Sequence, residues 1–277
     1  MSIARWFATR LDRRTGRACY PYEPGIGWAG AVAAPAPVAS LRWISGEVQS
    51  GATTARLLVP TSAVPSWTPF ARVVETLATG ARTAPSHGHE HEEVLTWVVE
   101  GFAAYQYEAG AATPTPSNSV LLLYAPSKVI HRVSPAQGGS VRWVSLVLSL
   151  PESETGVPRL RTERTTESEI QADGTFVRPL VGTGSKIPTR SGLMARELRF
   201  AETSTTFQAV GRDRRAVVYV LAGRGVVDTQ AVQVGEGVLA ENVSGIAVHG
   251  RPGLRILLAS APRGGPRRGM NDPAKSG

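Results

Sequence analysis

One cysteine in 277 residues, Cys19, excludes an internal disulfide framework and fits a reducing compartment. Lysine is almost as scarce, present only at 128, 186 and 275, so the basic residues are nearly all arginine. No apolar run approaches the roughly 18 residues that a membrane span needs. No signal-peptide core follows the start. Arg5, Arg10, Arg13 and Arg14, with no acid before Asp12, resemble a transit peptide only in their charge, and the expected location is the cytoplasm. Few windows hold a clean helical period. The 29 glycines and 20 prolines are spread through the chain, a composition suited to many short strands joined by turns. At 42% hydrophobic the chain has enough apolar mass for a real core in one or two domains.

The net charge of +8 and pI near 10.2 raise the question of nucleic acid. The basic residues are scattered, however, and the one dense run, Arg263-Gly-Gly-Pro-Arg267-Arg268, lies in a Gly/Pro-rich tail read as disordered. Binding through such a tail is weak and salt-sensitive. A solvated arginine-rich surface is the preferred reading, with a small molecule rather than nucleic acid or membrane as the expected partner.

What is present is a cluster. His87-Gly-His89-Glu-His91-Glu92-Glu93 gathers three of the five histidines beside carboxylates, directly before the strand-like run Val94-Leu-Thr-Trp97-Val-Val99. In an extended strand alternate side chains share a face, so His87, His89, His91 and Glu93 are expected to point the same way. Backbones at i and i+2 lie about 7 Å apart, close enough for two imidazoles to meet on one ion. Imidazole with carboxylate suits Fe(II), Mn, Ni, Cu or Zn better than Ca or Mg.

Residues 1 to about 65 read as an irregular extension with edge strands such as Ala55–Pro60 and Pro/Ala-rich loops around Ala33–Pro37. From Phe70 the pattern tightens into strands at Arg72–Leu77, Val94–Val99, Ala103–Tyr107, Val120–Tyr124 and Val141–Leu148. Short strands at this spacing argue for a sandwich or barrel. A polar stretch, 151–174, reads as a linker, and a second β-half follows over 175–262 with strands at Gly192–Phe200, Ala216–Gly223, Gly225–Asp228 and Val234–Leu239. Trp97-Val-Val-Glu-Gly101 in the first half answers Tyr219-Val-Leu-Ala-Gly223 in the second. The second half contains only His249, so the metal is expected in the first, over 66–150, and the tail covers 263–277.

From about Phe70 to Pro262 the chain resembles a pirin, a bicupin of the cupin superfamily. The residues that carry this are His87, His89 and Glu93 with Glu100-Gly101, then Pro126-Ser-Lys128-Val-Ile-His131, where Lys128 replaces a glycine of the second cupin motif. Pro151 and Gly156-Val-Pro-Arg159 fit the pirin linker, and Val234-Gly-Glu-Gly237 fits a turn of the second domain. The resemblance implies an all-β fold of two cupin-type barrels facing each other, with one mononuclear metal, usually iron, in the first. It also implies three His ligands and one Glu. His87, His89 and His131 occupy the histidine positions, but the Glu position is Val133. Glu93, where ordinary cupins place a carboxylate, is one substitute, although a straight strand sets it about 13 Å from His89. His91 is another, and a three-His site with open positions is a third arrangement. A second departure puts Leu146 and Leu148 where pirins often carry Gln and Trp.

The implied activity is that of a quercetinase-type dioxygenase on an aromatic or enol-containing small molecule. Glu93 or Glu92 would take the hydroxyl proton, and Trp97, Tyr107, Tyr124, Val133, Trp143 and Leu146 would line the pocket. A non-redox cyclase, isomerase or dehydratase on an apolar metabolite is the second reading, since fold does not settle function. A metal-sensing regulator with a protein partner is the third.

Overall fold

The computed structural model describes residues 39–50, 53–80, 85–165 and 168–264. Cys19, the arginines of the first fourteen residues and the tail beyond Gly264 lie outside them. The described part belongs to a unit spanning 38–277, and none of its helices is long and apolar enough to cross a membrane.

The elements follow in order along the chain. The extension gives β1 (Ser40–Ser45), β2 (Glu47–Ser50) and β3 (Thr54–Val59). The first half gives β4 (Phe70–Thr79), β5 (His87–His89), β6 (Glu92–Tyr107), β7 (Thr113–Pro116), β8 (Ser119–Ala125), β9 (Val129–Pro135) and β10 (Ser140–Ser149), with one 3-10 turn at Ala136–Gly138. Then come β11 (Arg159–Arg164) and β12 (Glu169–Ile170). The second half gives β13 (Phe176–Val181), β14 (Met194–Arg199), β15 (Ser204–Ala209), β16 (Arg214–Ala222), β17 (Arg224–Val227), β18 (Gln230–Gln233), β19 (Glu236–Glu241), β20 (Gly245–Gly250) and β21 (Arg255–Pro262). The all-β expectation holds: two curled β-halves face each other.

The ten-stranded sheet runs β11-β8-β6-β10-β4-β3-β2, with β5, β7 and β9 branching from it. The seven-stranded sheet runs β1-β19-β16-β21-β14-β13-β12, and a four-stranded sheet, β15-β20-β17-β18, closes the second half. The extension serves both halves, since β1 pairs with β19 while β3 pairs with β4. Residues 151–174, expected as a linker, supply an edge strand to each large sheet, β11 on β8 and β12 on β13.

Two stretches expected as separate strands are the single β6. Gly101 in its middle takes φ 80, and a Cβ there would stand 2.0 Å from the Ser140 carbonyl oxygen, so the bend requires glycine. Before the bend β6 pairs with β8; after it, β6 pairs with β9. The bend therefore carries the chain from the large sheet onto the branch that holds the histidines.

Period-two alternation divides the core. Leu95, Trp97 and Val99 of β6, with Val144, Leu146 and Leu148 of β10, pack against Tyr219, Leu221, Leu257 and Ala259 of the seven-stranded sheet. The intervening Val98 and Trp143 turn the other way and join Tyr105 and Val133 inside the first half. Polar contacts add to this apolar seam. Glu75 accepts hydrogen bonds from Tyr219 Oη (2.6 Å) and Arg142 Nε (2.6 Å), while Arg142 also donates to the Leu221 carbonyl.

Candidate metal centre

The short β5 is held edge-on by β9, with His87 directly opposite His131 and His89 opposite Val129. Cross-strand partners stand about 4.5–5.5 Å apart at Cα, so this register brings an imidazole from each strand together across the ladder. The next residue of like facing on β5 adds the third. Ring centroids are 4.4 Å apart for His87 and His131, 4.9 Å for His89 and His131, and 5.0 Å for His87 and His89. One ligand-capable nitrogen from each lies within 4.8 Å of the others. His89 and His131 are buried and His87 is exposed, so the group opens to solvent on the His87 side.

The outer hydrogen bonds fix which nitrogens face inward. His89 Nδ1 lies 2.5 Å from Glu92 Oε2, and a carboxylate accepts, so Nδ1 carries the proton and Nε2 keeps its lone pair. His87 Nδ1 lies 3.1 Å from the Pro85 carbonyl oxygen, which imposes the same tautomer. His89 Nε2 and His131 Nε2 are 2.9 Å apart, and buried His131 Nδ1 has no partner. A divalent ion binds imidazole at about 2.0–2.1 Å, which sets neighbouring donor nitrogens about 3 Å apart. The donor set fits such an ion, and Glu92 behind His89 is the carboxylate that commonly backs a metal-bound histidine.

Without a metal, His87 and His131 resist protons, chiefly because their rings are partly removed from water. Burial, reinforced by the neighbouring His87 and His89, holds His131 down to about 3 from an ordinary 6.5. In the folded metal-free protein His131 is therefore neutral between those values, whereas the unfolded chain binds a proton below 6.5. Unfolding then takes up a proton, so stability is full above about pH 6.5 and falls as pH drops toward 3. Urea midpoints of the metal-free protein are expected to fall from pH 7 to pH 5, with a shallower fall in His131→Asn.

The structure does not continue the expected common face beyond His89. Glu90 and His91 form a bend, and His91 takes φ 52, a left-handed conformation that rotates its side chain away from the line of His87 and His89. His91 is outside the three-His group; its carbonyl instead accepts from Leu150 N at 2.7 Å, closing the chain against the end of β10.

Glu93 is not brought to the histidines either. It is 1% exposed and faces the second half, where it accepts from Arg190 N (2.8 Å), Ser191 N (3.0 Å) and the Ser191 hydroxyl. Burial pushes the Glu93 carboxyl up, and these hydrogen bonds pull it back. With both oxygens engaged it is a tie between the halves, so the ligand and base roles expected for it have no geometric support. Glu92, one residue earlier and so on the opposite face, is the carboxylate that reaches the cluster.

The six expected pocket residues divide by the same alternation. Val133 and Trp143 are buried inside the first half, with Tyr107 packed at their edge. Tyr107 is paired across the ladder with His131, and Tyr105 with Val133. Trp97 and Leu146 instead point into the seam between the large sheets, and Tyr124 donates to Glu154 on the flank where Glu93 lies. Strand parity, with the seven-stranded sheet packed on one face of β6 and β10, is the reason. Sequence reasoning passed over Tyr105, whose ring stands 5.2 Å from His131, although its spacing of two residues from Tyr107, which puts both on one strand face, carried the signal. Nothing in the sequence marked Ser191 as the partner of Glu93.

In the second half β15 pairs with β20 much as β5 pairs with β9. The buried positions of β15 hold Thr206 and Gln208, hydrogen-bonded to each other, to Gln171 and, through Gln208, to Arg196. These amides and hydroxyls satisfy one another, where the first half presents unprotonated imidazole nitrogens.

Solved structures share this architecture. The Escherichia coli pirin YhhW, in complex with nickel(II), matches with a TM-score of 0.69 at 14% identity, over 80% of this chain and 99% of its own. The fold is that of a pirin-like bicupin. Quercetin 2,3-dioxygenase from Acinetobacter baumannii matches this chain with a TM-score of 0.71 at 15% identity, over 80% of it and 86% of the dioxygenase. GK1651 from Geobacillus kaustophilus gives 0.70 at 20% identity, covering 81% and 96%. No protein-family model matches the sequence, and no curated protein does either.

Proposed function

We propose that this pirin-like protein is a metal-dependent enzyme of the dioxygenase class acting on an aromatic or enol-containing small molecule. His87, His89 and His131 would hold one divalent ion, Fe(II) first, with Ni, Cu, Mn and Zn as the alternatives to exclude. The observation that carries the reading is the convergence of three imidazoles, two of them fixed by outward Nδ1 hydrogen bonds so that Nε2 faces inward. The structural likeness to a nickel-bound pirin and a quercetin 2,3-dioxygenase supports it. A single cysteine is consistent with the proposed cytoplasmic location.

A bound ion would supply Lewis acidity and a template for an anionic oxygen of the substrate. The chain's own residues do the rest. Glu92 Oε2 holds the Nδ1 proton of His89 and so orients that ring. Val133, Trp143 and Tyr105 form a buried apolar wall on the inner side of His131 that excludes water there. With Glu93 committed elsewhere, Glu92 is the remaining carboxylate that would accept a substrate proton. Glu92→Gln is expected to weaken metal affinity by about 10- to 100-fold while leaving the fold intact, read by competition with a metallochromic chelator.

A second reading draws on the same wall. Val133 supplies no charge where a carboxylate would tune a redox metal, which favours a non-redox cyclase, isomerase or dehydratase. Oxygen-electrode measurements on the reconstituted protein with a flavonol separate these cases. Oxygen uptake that tracks substrate loss and disappears in His89→Ala supports the dioxygenase. Substrate change without uptake moves the assignment to the second reading. No turnover across a panel of enols and phenols leaves the metal-sensing, protein-binding role.

A further inference from the structure

We propose a second ligand site, for a small organic anion, on the outer face of the four-stranded sheet of the second half. Strands β17, β18 and β20 curve there around an open cleft of about 420 Å³, with Arg224, Arg251 and His249 on its lining.

Register explains the concentration of charge. Gly225 pairs with Gly250, so the next step of the same ladder sets Arg224 opposite Arg251. Like charges directly opposite on adjacent strands destabilise a sheet. Several other arginines on these sheets are neutralised: Arg142 by Glu75, Arg255 by Glu197, Arg178 by Glu197 and Arg215 by Glu241. Neither the Arg224 nor the Arg251 guanidinium has a hydrogen bond or ion pair among the described residues. The one carboxylate in the cleft, Glu236, is already engaged, one oxygen by Gln233 N at 3.0 Å and the other by Gln233 Nε2 at 3.2 Å.

His249 adds a neutral donor. Its Nδ1 lies 2.8 Å from the Thr205 hydroxyl, and a hydroxyl donating there leaves Nε2–H for the cleft. Val226 and Ala231 lie opposite each other on β17 and β18 and provide an apolar floor beside the charges. Two guanidiniums, whose planar forks match carboxylate and phosphate oxygens, beside an imidazole N–H and a short apolar floor suit an anionic head on a small organic body.

Isothermal titration of the full chain with benzoate, phenyl phosphate and inorganic phosphate tests this. One saturable site is expected for an organic anion, tighter than for inorganic phosphate, and the preference between benzoate and phenyl phosphate identifies the head group. Arg224→Gln and Arg251→Gln should each weaken binding roughly tenfold or more. Because each change also relieves like-charge repulsion, the melting temperature should hold or rise, and the ligand-induced rise seen in the wild type should vanish. Three results overturn the proposal: no saturable binding of any probe, binding unchanged in both variants, or tighter binding of a single-stranded oligonucleotide than of any small anion. A melting temperature that falls in both variants assigns the arginines a structural role instead and also overturns it.

Discussion

Replacing His89 by alanine is expected to take the protein from about one bound divalent ion per chain to nearly none, as read by plasma mass spectrometry after reconstitution. The effect should be large because His89 is the pivot of the cluster. Its Nε2 lies 2.9 Å from that of His131, and its Nδ1 is backed by Glu92. Its loss leaves two imidazoles and no carboxylate among the groups that converge. His91→Ala is the matched control. It removes an imidazole two residues away whose backbone turns it out of the group, so metal content should not change. Retention of metal in His89→Ala would refute the three-histidine site, and loss of metal in His91→Ala would restore His91 as a ligand. The fold should survive in both, since three of the four core clusters lie in the sheet seam and the two barrel interiors beyond β5.

Glu93→Ala should show the opposite pattern, with metal kept and stability lost. The carboxylate is 1% exposed and accepts from two backbone N–H groups and a hydroxyl contributed by Arg190 and Ser191. Truncation strands those donors away from water and opens a void, a combination costing about 3 kcal/mol. For a chain of this size that lowers the melting temperature by roughly 5 °C. Calorimetry paired with metal analysis separates the alternatives. Lost metal with an unchanged melting temperature would return Glu93 to the ligand set, whereas the expected pattern fixes it as the latch between the two halves.

Much of the fold was legible because it rests on short-range patterning. The strands of both halves follow from β-branched runs punctuated by glycine and proline, and the paired Gly101 and Gly223 turns showed the internal likeness of the halves. The candidate histidines were legible for a related reason. His87 and His89 share a strand face whatever the partner strand is, and His131 lies in a motif whose order along the chain matched theirs.

Beyond His89 the same parity argument failed. A single left-handed residue, His91, resets which face each following side chain takes, and nothing local announces a positive φ at a histidine. Glu92 and Glu93 thereby exchanged the expected roles, one reaching His89 and the other Ser191. Trp97 and Leu146 went to the seam, and Tyr124 to the flank beside Glu154, rather than to the site for a like reason: which side of a strand faces which core is set by the sheet packed against it.

The sequence by itself therefore determined the all-β class, the two-half plan and the pair His87 and His89, because these depend on spacing along one strand and on turn chemistry, while His131 came from the resemblance to the second cupin motif. Only the tertiary structure decided that β5 lies against β9, that Glu92 backs His89, that Glu93 binds the halves together and that Arg224 and Arg251 line one cleft. Each of those is a pairing across dozens of residues or more, or a bend within one, and periodicity along the chain carries no information about which distant strand completes a site.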